Sequence, residues 1–352
     1  MKSARIPGPN EPLNLVESET PSPKESQVLI KVLATGVCHS DLHLWEGGYD
    51  MGDGNFMKVT DRGVKYPVTP GHEVVGTIHQ TGPDTGGYTV GEKILVYPWI
   101  GCRRCPACMA DNENLCDTPR SLGVFQDGGY ADYMLVPHHR YLARLGNVNV
   151  EAATSLACSG LTAYTAIKKA NANSPRYIVI VGAGGLGLMG VQIAHAITDA
   201  TIICVDLSEK KLETARKMGA HHTIISKSEN AVKDIIKICD NMGADSVVDF
   251  VNASATAKLG MDVLRKRGNI VLVGLYGGLL NISLVTIPLK SITIQGAYTG
   301  SYNDMIELLD LVKKGHINPM ISKRYSLPES NDALIDLKNR KITGRAVITP
   351  NV

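Results

Sequence analysis

Cys102, Cys105, Cys108 and Cys116 fall within the single stretch GCRRCPACMADNENLC, and four thiols at that spacing suit tetrahedral coordination of one Zn²⁺. This segment is expected to close as a lobe around metal, whatever surrounds it. A second, dispersed set, Cys38, His72 and Cys158, has the composition of an open catalytic zinc site, where three protein ligands leave one position for water or substrate. Disulfides are the competing use for the eight cysteines. A long chain that starts MKSARIPGPNEPLNL, with prolines where an export signal needs an apolar core, favours reduced thiolates and a cytoplasmic location. Cys204 and Cys239, in TIICVD and DIIKICD, read as small buried hydrophobes.

A chain of 352 residues exceeds the usual single core, so two domains are expected. Hydrophobic residues at 44% and charged residues at 20% are ordinary for a soluble globular protein. A net charge of +2 gives no electrostatic case for nucleic acid or a membrane surface, and no stretch is long enough for a transmembrane helix. The first half reads as β: QVLIKVLATGV, EVVGTIHQTG and EKILVYPW are short and β-branched, with long loops at Trp45 to Tyr66 and after Trp99. From about Ser155 helix and strand alternate through YIVIVG, VQIAHAI, TIICVD, KKLETARKMGA, ADSVVDFV, MDVLRKRG and NIVLVGL, which predicts a parallel sheet with crossover helices. In KMGA and RKRG the glycine is placed at a helix C-terminus. Beyond about Lys290, SYNDMIELLDLVKKG predicts an amphipathic helix and GRAVITP a closing strand.

YIVIVGAGGLGLMGVQIA carries Gly182, Gly184 and Gly187 as G-x-G-x-x-G between a strand and a helix, with Gly185 and Leu186 inside the motif. Such glycines make a tight turn and admit a pyrophosphate to the helix N-terminus. Asp206 ends the next strand, TIICVD, where a carboxylate accepts hydrogen bonds from the adenosine ribose and repels a 2′-phosphate. NAD is therefore favoured over NADP. Capping of the following helix is the other use for Asp206, although Ser208 serves that purpose as well. Lys210 and Lys211 suit either a ribose or a phosphate.

With Cys38 in GVCHSDLH, His72 in PGHEVVG, Cys158 in ACSG, the cysteine lobe and the glycine fingerprint in this order, the chain resembles the zinc-dependent medium-chain alcohol dehydrogenases. It is most similar to the archaeal, tetrameric NAD-dependent members. The resemblance implies an α/β chain: a GroES-like, β-rich catalytic domain over residues 1–157, a Rossmann doubly wound parallel-sheet domain over 158–294, and a return to the catalytic domain over 295–352. It also implies two zinc ions per subunit, a catalytic ion on Cys38, His72 and Cys158 with Glu73 as an alternative ligand, and a structural ion on the four-cysteine lobe. Asp41 would hold His72 in one tautomer, and Ser40 and His43 would carry the alcohol proton to solvent.

By the same resemblance, His39 stands where many relatives have an arginine at the cofactor pyrophosphate, and Arg345 matches a C-terminal arginine reaching that group. Thr162, Val273, Gly274 and Leu275 would lie beside the nicotinamide. Trp99 and Trp45 would lie near the substrate, and Ser121, where a relative has a bulky aromatic, would widen the pocket. The implied activity is reversible hydride transfer between NAD and a primary or secondary alcohol or its carbonyl product; the alternative is an aldehyde or semialdehyde reductase working in the reductive direction. The expected partners are a small alcohol, aldehyde or ketone and further copies of the chain, as a homotetramer or homodimer. A zinc ribbon for nucleic acid is disfavoured, because Arg103, Arg104 and Arg120 are balanced by Asp111, Glu113 and Asp117.

Overall fold

The computed structural model describes residues 1–350, which form two compact units. The first comprises 1–48, 58–161 and the residues from 300 onward; the second comprises 49–57 and 162–299. Two of these divisions lie a few residues beyond the 157/158 and 294/295 boundaries expected from the sequence, the helix Ser159–Asn171 running across the first, and residues 49–57, expected in the catalytic domain, belong to the second unit instead.

In the first unit Val28–Val37 is the central strand. It pairs antiparallel with Glu73–Thr81 on one side and with Arg345–Thr349 on the other, and Tyr133–Val136 pairs with its first half. GRAVITP thus closes the sheet that the N-terminal half begins. β-Branched and aliphatic residues supply the core, with Ile30, Val32, Ile78, Ile94 and Leu95 buried. The predicted amphipathic helix is Tyr302–Lys313. Ser301 and Asp304 form a reciprocal capping box at its start, and Met305, Leu308 and Leu309 are its buried face.

The second unit holds a six-stranded sheet in the order His222–Ile225, Thr201–Asp206, Tyr177–Val181, Ala244–Asp249, Leu264–Leu272, Thr293–Gly296, and every adjacent pair is parallel. From Tyr177–Val181 the chain runs outward to one edge, then crosses back to the other side at Ala244–Asp249. Strand order therefore reverses between these two central strands, and in such sheets ligands bind beyond the carboxyl ends at that reversal. Apolar residues on the sheet, including Val179, Ile203, Val247 and Ile270, pack into one buried cluster, as expected of a sheet covered on both faces.

Two sequence expectations change. MDVLRKRG is not a helix with a terminal glycine: the helix Ser254–Val263 stops before Leu264, and the strand Leu264–Leu272 already includes the basic run. An irregularity between Ala244 and Ser246 and a left-handed Arg267 (φ 61°) let the charged residues stay exposed while Ile270 and Val271 enter the core. Part of the long loop after Trp45 is a two-stranded excursion, Gly48–Gly52 with Asn55–Lys58, joined through Asp53 and Gly54 with φ of 51° and 75°. Asp-Gly is the dipeptide that such a tight turn prefers. Among the described residues no helix is long and apolar enough to cross a membrane.

Candidate metal centres and nucleotide site

Cys38 is the N-cap of the helix His39–Glu46, and Asp41 lies in that helix's first turn. The fully buried Asp41 carboxylate accepts the Cys38 N–H at 2.9 Å and the Gly71 N–H at 3.0 Å, and it receives the Tyr130 hydroxyl at 3.3 Å. Its Oδ1 also lies 3.2 Å from His72 Nδ1. One side chain thus fixes both the segment that presents Cys38 and the segment that presents His72. Gly71, at φ 94°, is required in this turn, since a Cβ there would come within 2.4 Å of the Tyr130 ring.

Cys38 Sγ stands 3.8 Å from Cys158 Sγ, and one donor atom from each of Cys38, His72, Glu73 and Cys158 lies within 4.8 Å of the others. His72 Nε2 is buried without a hydrogen-bond partner. An orphaned imidazole nitrogen beside two thiols is a poor arrangement for an empty core and a good one for a divalent zinc. The hydrogen bond from Cys158 holds Cys38 well below the usual thiol range and raises Cys158 in turn. Burial works against a charged His72, but the Asp41 and Cys38 charges outweigh it and raise its pKa well above the ordinary value. Metal-free, the pocket favours a thiolate beside a protonated imidazole; a bound divalent ion would take the place of that imidazole proton.

Glu73, whose carboxylate borders this cluster, also belongs to a second network. Its carboxylate accepts the Ser159 N–H at 3.0 Å and Arg345 Nε–H at 2.7 Å, with a further bond from Arg345 Nη2. Arg345, expected at the cofactor pyrophosphate, is only 5% exposed and its guanidinium is committed to Glu73. The bidentate pair is what makes a fully buried carboxylate tolerable there. Gly36 leaves room for it, because a Cβ would lie 2.0 Å from Glu73 Oε2.

Trp99 is buried; its indole N–H donates to the Ala157 carbonyl at 2.9 Å, next to Cys158, and its ring centroid is 5.4 Å from that of His72. Trp45 is placed differently: its N–H donates to the Glu11 carbonyl at 2.8 Å and Lys338 stands 4.9 Å over its ring. Ser40 Oγ is 3.9 Å from Cys38 Sγ. His43 is half-buried on the same helix, and burial lowers its pKa. His39 is exposed at the start of that helix. Ser121 is buried in a turn where its carbonyl accepts the Phe125 N–H at 2.9 Å.

The four thiols of the lobe also gather within 4.8 Å. Backbone donors surround them: Cys116 Sγ accepts the N–H groups of Cys102 at 3.1 Å and Thr118 at 3.3 Å. The N–H groups of Arg104 and Cys105 bring Cys102 down to about 6, while burial pushes Cys108 up to about 12. Sequence reasoning missed Glu113, which counted only as one of the acidic residues balancing nearby arginines. It is 6% exposed. It accepts the Gly101 N–H at 3.0 Å and the Tyr141 hydroxyl at 2.8 Å, and pairs with Arg140 at 3.0 Å. It therefore anchors the lobe, at the residue before Cys102, to the body of the first unit.

In the second unit Gly182 has φ 94°, and a Cβ on Gly187 would lie 1.6 Å from the Gly182 carbonyl oxygen, so helix Gly185–Ile197 can start only if both stay glycine. A Cβ on Gly184, the N-cap of that helix, would meet nothing within 4 Å. That open approach to a helix N-terminus fits a pyrophosphate. Asp206 accepts the Ala183 N–H at 2.6 Å through one oxygen and the Ser208 N–H at 2.9 Å through the other, so it ties the fingerprint turn to the next helix; each oxygen keeps a lone pair for a ribose hydroxyl. Lys211 is half-buried on that helix. Thr162 is buried in the helix Ser159–Asn171. Val273 is buried, Gly274 packs against Val251, and Leu275 is exposed.

A largely antiparallel unit holding two clusters of metal-ligand type, joined in one chain to a dinucleotide-type parallel sheet, has the plan of a zinc-containing dehydrogenase. Known proteins agree. Residues 24–146 match the alcohol dehydrogenase GroES-like domain and residues 185–314 the zinc-binding dehydrogenase domain. NAD-dependent alcohol dehydrogenases of Sulfurisphaera tokodaii and Saccharolobus solfataricus are each 41% identical to this chain, over 99% of it and 100% of their own length. The crystal structure of the alcohol dehydrogenase from Aeropyrum pernix matches with a TM-score of 0.90 at 31% identity, covering 99% of this chain and 100% of that one. The chain belongs to the zinc-binding alcohol dehydrogenase family.

Proposed function

We propose that this protein is an NAD-dependent zinc alcohol dehydrogenase acting on a small alcohol, aldehyde or ketone. The observation that carries the proposal is the buried group of Cys38, His72 and Cys158, with His72 Nε2 left without a protein partner. A zinc ion held there supplies Lewis acidity that favours the deprotonated alcohol, and NAD supplies the hydride acceptor. Everything else falls to the chain. The Asp41 carboxylate stands 3.2 Å from Nδ1 of His72, which leaves Nε2 as the nitrogen offered to the metal. Ser40 and His43 follow Cys38 on one helix and carry the alcohol proton outward; burial of His43 keeps its imidazole neutral, and so able to accept a proton, to lower pH than a free histidine. Arg345 and the Ser159 N–H hold Glu73 in reserve as an alternative ligand. Asp206 receives the adenosine ribose and disfavours a 2′-phosphate.

The test is steady-state kinetics on a panel of alcohols and carbonyls with each cofactor. A higher kcat/KM with NADPH than with NADH would remove the role given to Asp206, and no turnover of any alcohol or carbonyl would remove the reading itself.

The chain is also proposed to assemble as a homodimer or homotetramer. Among the described residues Thr293–Gly296 is an edge strand, paired only with Leu264–Leu272, and Leu284, Val285, Leu289, Ile294 and Tyr298 near it in sequence are exposed. Unpaired edges flanked by apolar side chains call for a covering surface, and a second copy supplies one by symmetry. A monomeric mass by light scattering would overturn this. Two clusters of thiols gathered as metal ligands, which must stay reduced to bind, support a reducing compartment such as the cytoplasm.

A further inference from the structure

The strands Tyr177–Val181 and Ala244–Asp249 flank the reversal in sheet order, and their last residues, Val181 and Asp249, are register partners. Asp206 ends the strand on the far side of Val181. If the adenosine half of a dinucleotide lies there and its pyrophosphate lies at the helix that starts at Gly185, the other half extends over the ends of Ala244–Asp249 and Leu264–Leu272. Asp249 is fully buried at this point, and no step of the chemistry above uses it.

Its side chain interacts with that of Thr256, and its other contacts serve the local backbone. Oδ1 accepts the N–H groups of Val251 at 2.9 Å and Asn252 at 2.8 Å. Its main-chain carbonyl accepts those of Val273 at 3.0 Å and Gly274 at 3.1 Å. Asn252, held at φ 57°, then donates its side-chain amide to the Gly274 carbonyl at 2.9 Å, and a Cβ on Gly274 would lie 2.1 Å from the Val251 oxygen. On its other flank the same turn touches the fingerprint: Phe250 N–H donates to the Val181 carbonyl at 3.0 Å, and a Cβ on Gly182 would come 2.6 Å from Val251. The second oxygen, Oδ2, is buried without a hydrogen bond. A half-satisfied buried carboxylate is costly to keep, so its retention at a binding crevice needs a use.

We propose that Asp249 is a positioning residue for the nicotinamide half of the dinucleotide: it clamps the turn 250–252 between the glycine fingerprint and the strand end 273–275. The proposal rests on the dinucleotide reading above. Without the clamp, the wall formed by Val273 to Leu275 loses its fixed distance from Gly182, while the adenosine side, held by Asp206 through Ala183 and Ser208, keeps its own bonds.

The experiment compares binding of NADH, by its fluorescence, with binding of AMP, by calorimetry, to the full-length protein. Asp249→Ala is expected to weaken NADH about tenfold or more, the size of losing charge-assisted hydrogen bonds, and to leave AMP within about twofold. Asp249→Asn retains an acceptor for the two N–H groups and recovers most of the NADH affinity. Should Asp249→Ala not fold, Asn252→Gly, which keeps the left-handed turn but loses the bond to Gly274, is expected to weaken NADH about three- to tenfold. Unchanged NADH binding in whichever of these variants folds, or equal losses for NADH and AMP, overturns the proposal. Failure of the unmodified protein to bind NADH overturns instead the dinucleotide reading on which it rests.

Discussion

The two thiol clusters differ in how the chain assembles them. The lobe draws Cys102, Cys105, Cys108 and Cys116 from one short stretch, partly exposed, with backbone N–H groups already aimed at the sulfurs. The other cluster brings together Cys38, His72 and Cys158 from three distant segments, all buried, and needs Asp41, Glu73, Arg345 and Trp99 to hold the group in place. On the proposed reading, local closure makes a site that is filled by its own ligands and serves stability. Long-range assembly makes one that leaves a coordination position open and surrounds it with groups that tune charge. The same metal can therefore be a staple in one place and a reagent in the other.

The largest expected effect tests that division directly. Cys38→Ala should lower kcat/KM by at least about three powers of ten, as expected when several kcal/mol of metal assistance are lost, with one zinc fewer per chain and a thermal midpoint near that of the unmodified protein. Cys105→Ala should do the reverse, lowering the midpoint and the metal content while the surviving folded fraction keeps most of its turnover. Equal losses of activity and stability in both variants would erase the distinction.

Next comes proton release, for which the lobe has no counterpart. His43→Gln should slow alcohol oxidation by about one to four powers of ten, most at low pH, where hydroxide cannot replace the lost base. The sign follows from burial: a lowered His43 pKa keeps the neutral, accepting form down to below about pH 6.5, the value for a free histidine. The unmodified enzyme should therefore hold its rate to lower pH than the variant, and superimposable kcat/KM profiles would assign proton release to another group.

The smallest effect concerns the lobe's anchor. Glu113→Gln keeps the shape but weakens acceptance from Gly101, Tyr141 and Arg140, and should reduce stability by about 1–3 kcal/mol while hastening loss of lobe zinc to a chelator. Unaltered zinc retention would make Glu113 a bystander.

What could be read from the sequence follows the same contrast. The lobe was legible because its ligands and their spacing lie in one stretch, and the fingerprint because strand, glycines and Asp206 keep a local order. Cys38, His72 and Cys158 are individually ordinary; only their order along the chain, compared with a family, marks them. Glu113 was not legible, since its partners Tyr141 and Arg140 come from a separate segment and a lone acidic residue among arginines looks like surface charge. Asp249 was hidden for a related reason: an acidic residue ending an apolar strand is unremarkable until the neighbouring turn is seen. The run LRKRG misled because helix-forming charged residues follow a helical stretch, whereas pairing of Leu264 and of Asn269 to Leu272 with Ala244–Asp249, on either side of the charged residues, draws the run into a strand.

The excursion at residues 49–57 has a bearing on how such proteins are recombined. The chain passes between its two units at 48/49, 57/58, 161/162 and 299/300, so a nucleotide-binding module excised as 162–299 leaves part of itself behind. Gly277, at φ 101°, is shaped to that missing piece, with a Cβ position only 2.3 Å from the Asp50 carbonyl oxygen. A chimera that exchanges the central segment between relatives must therefore carry over the short strand pair as well, or match the donor's glycines to the recipient's Tyr49–Met57.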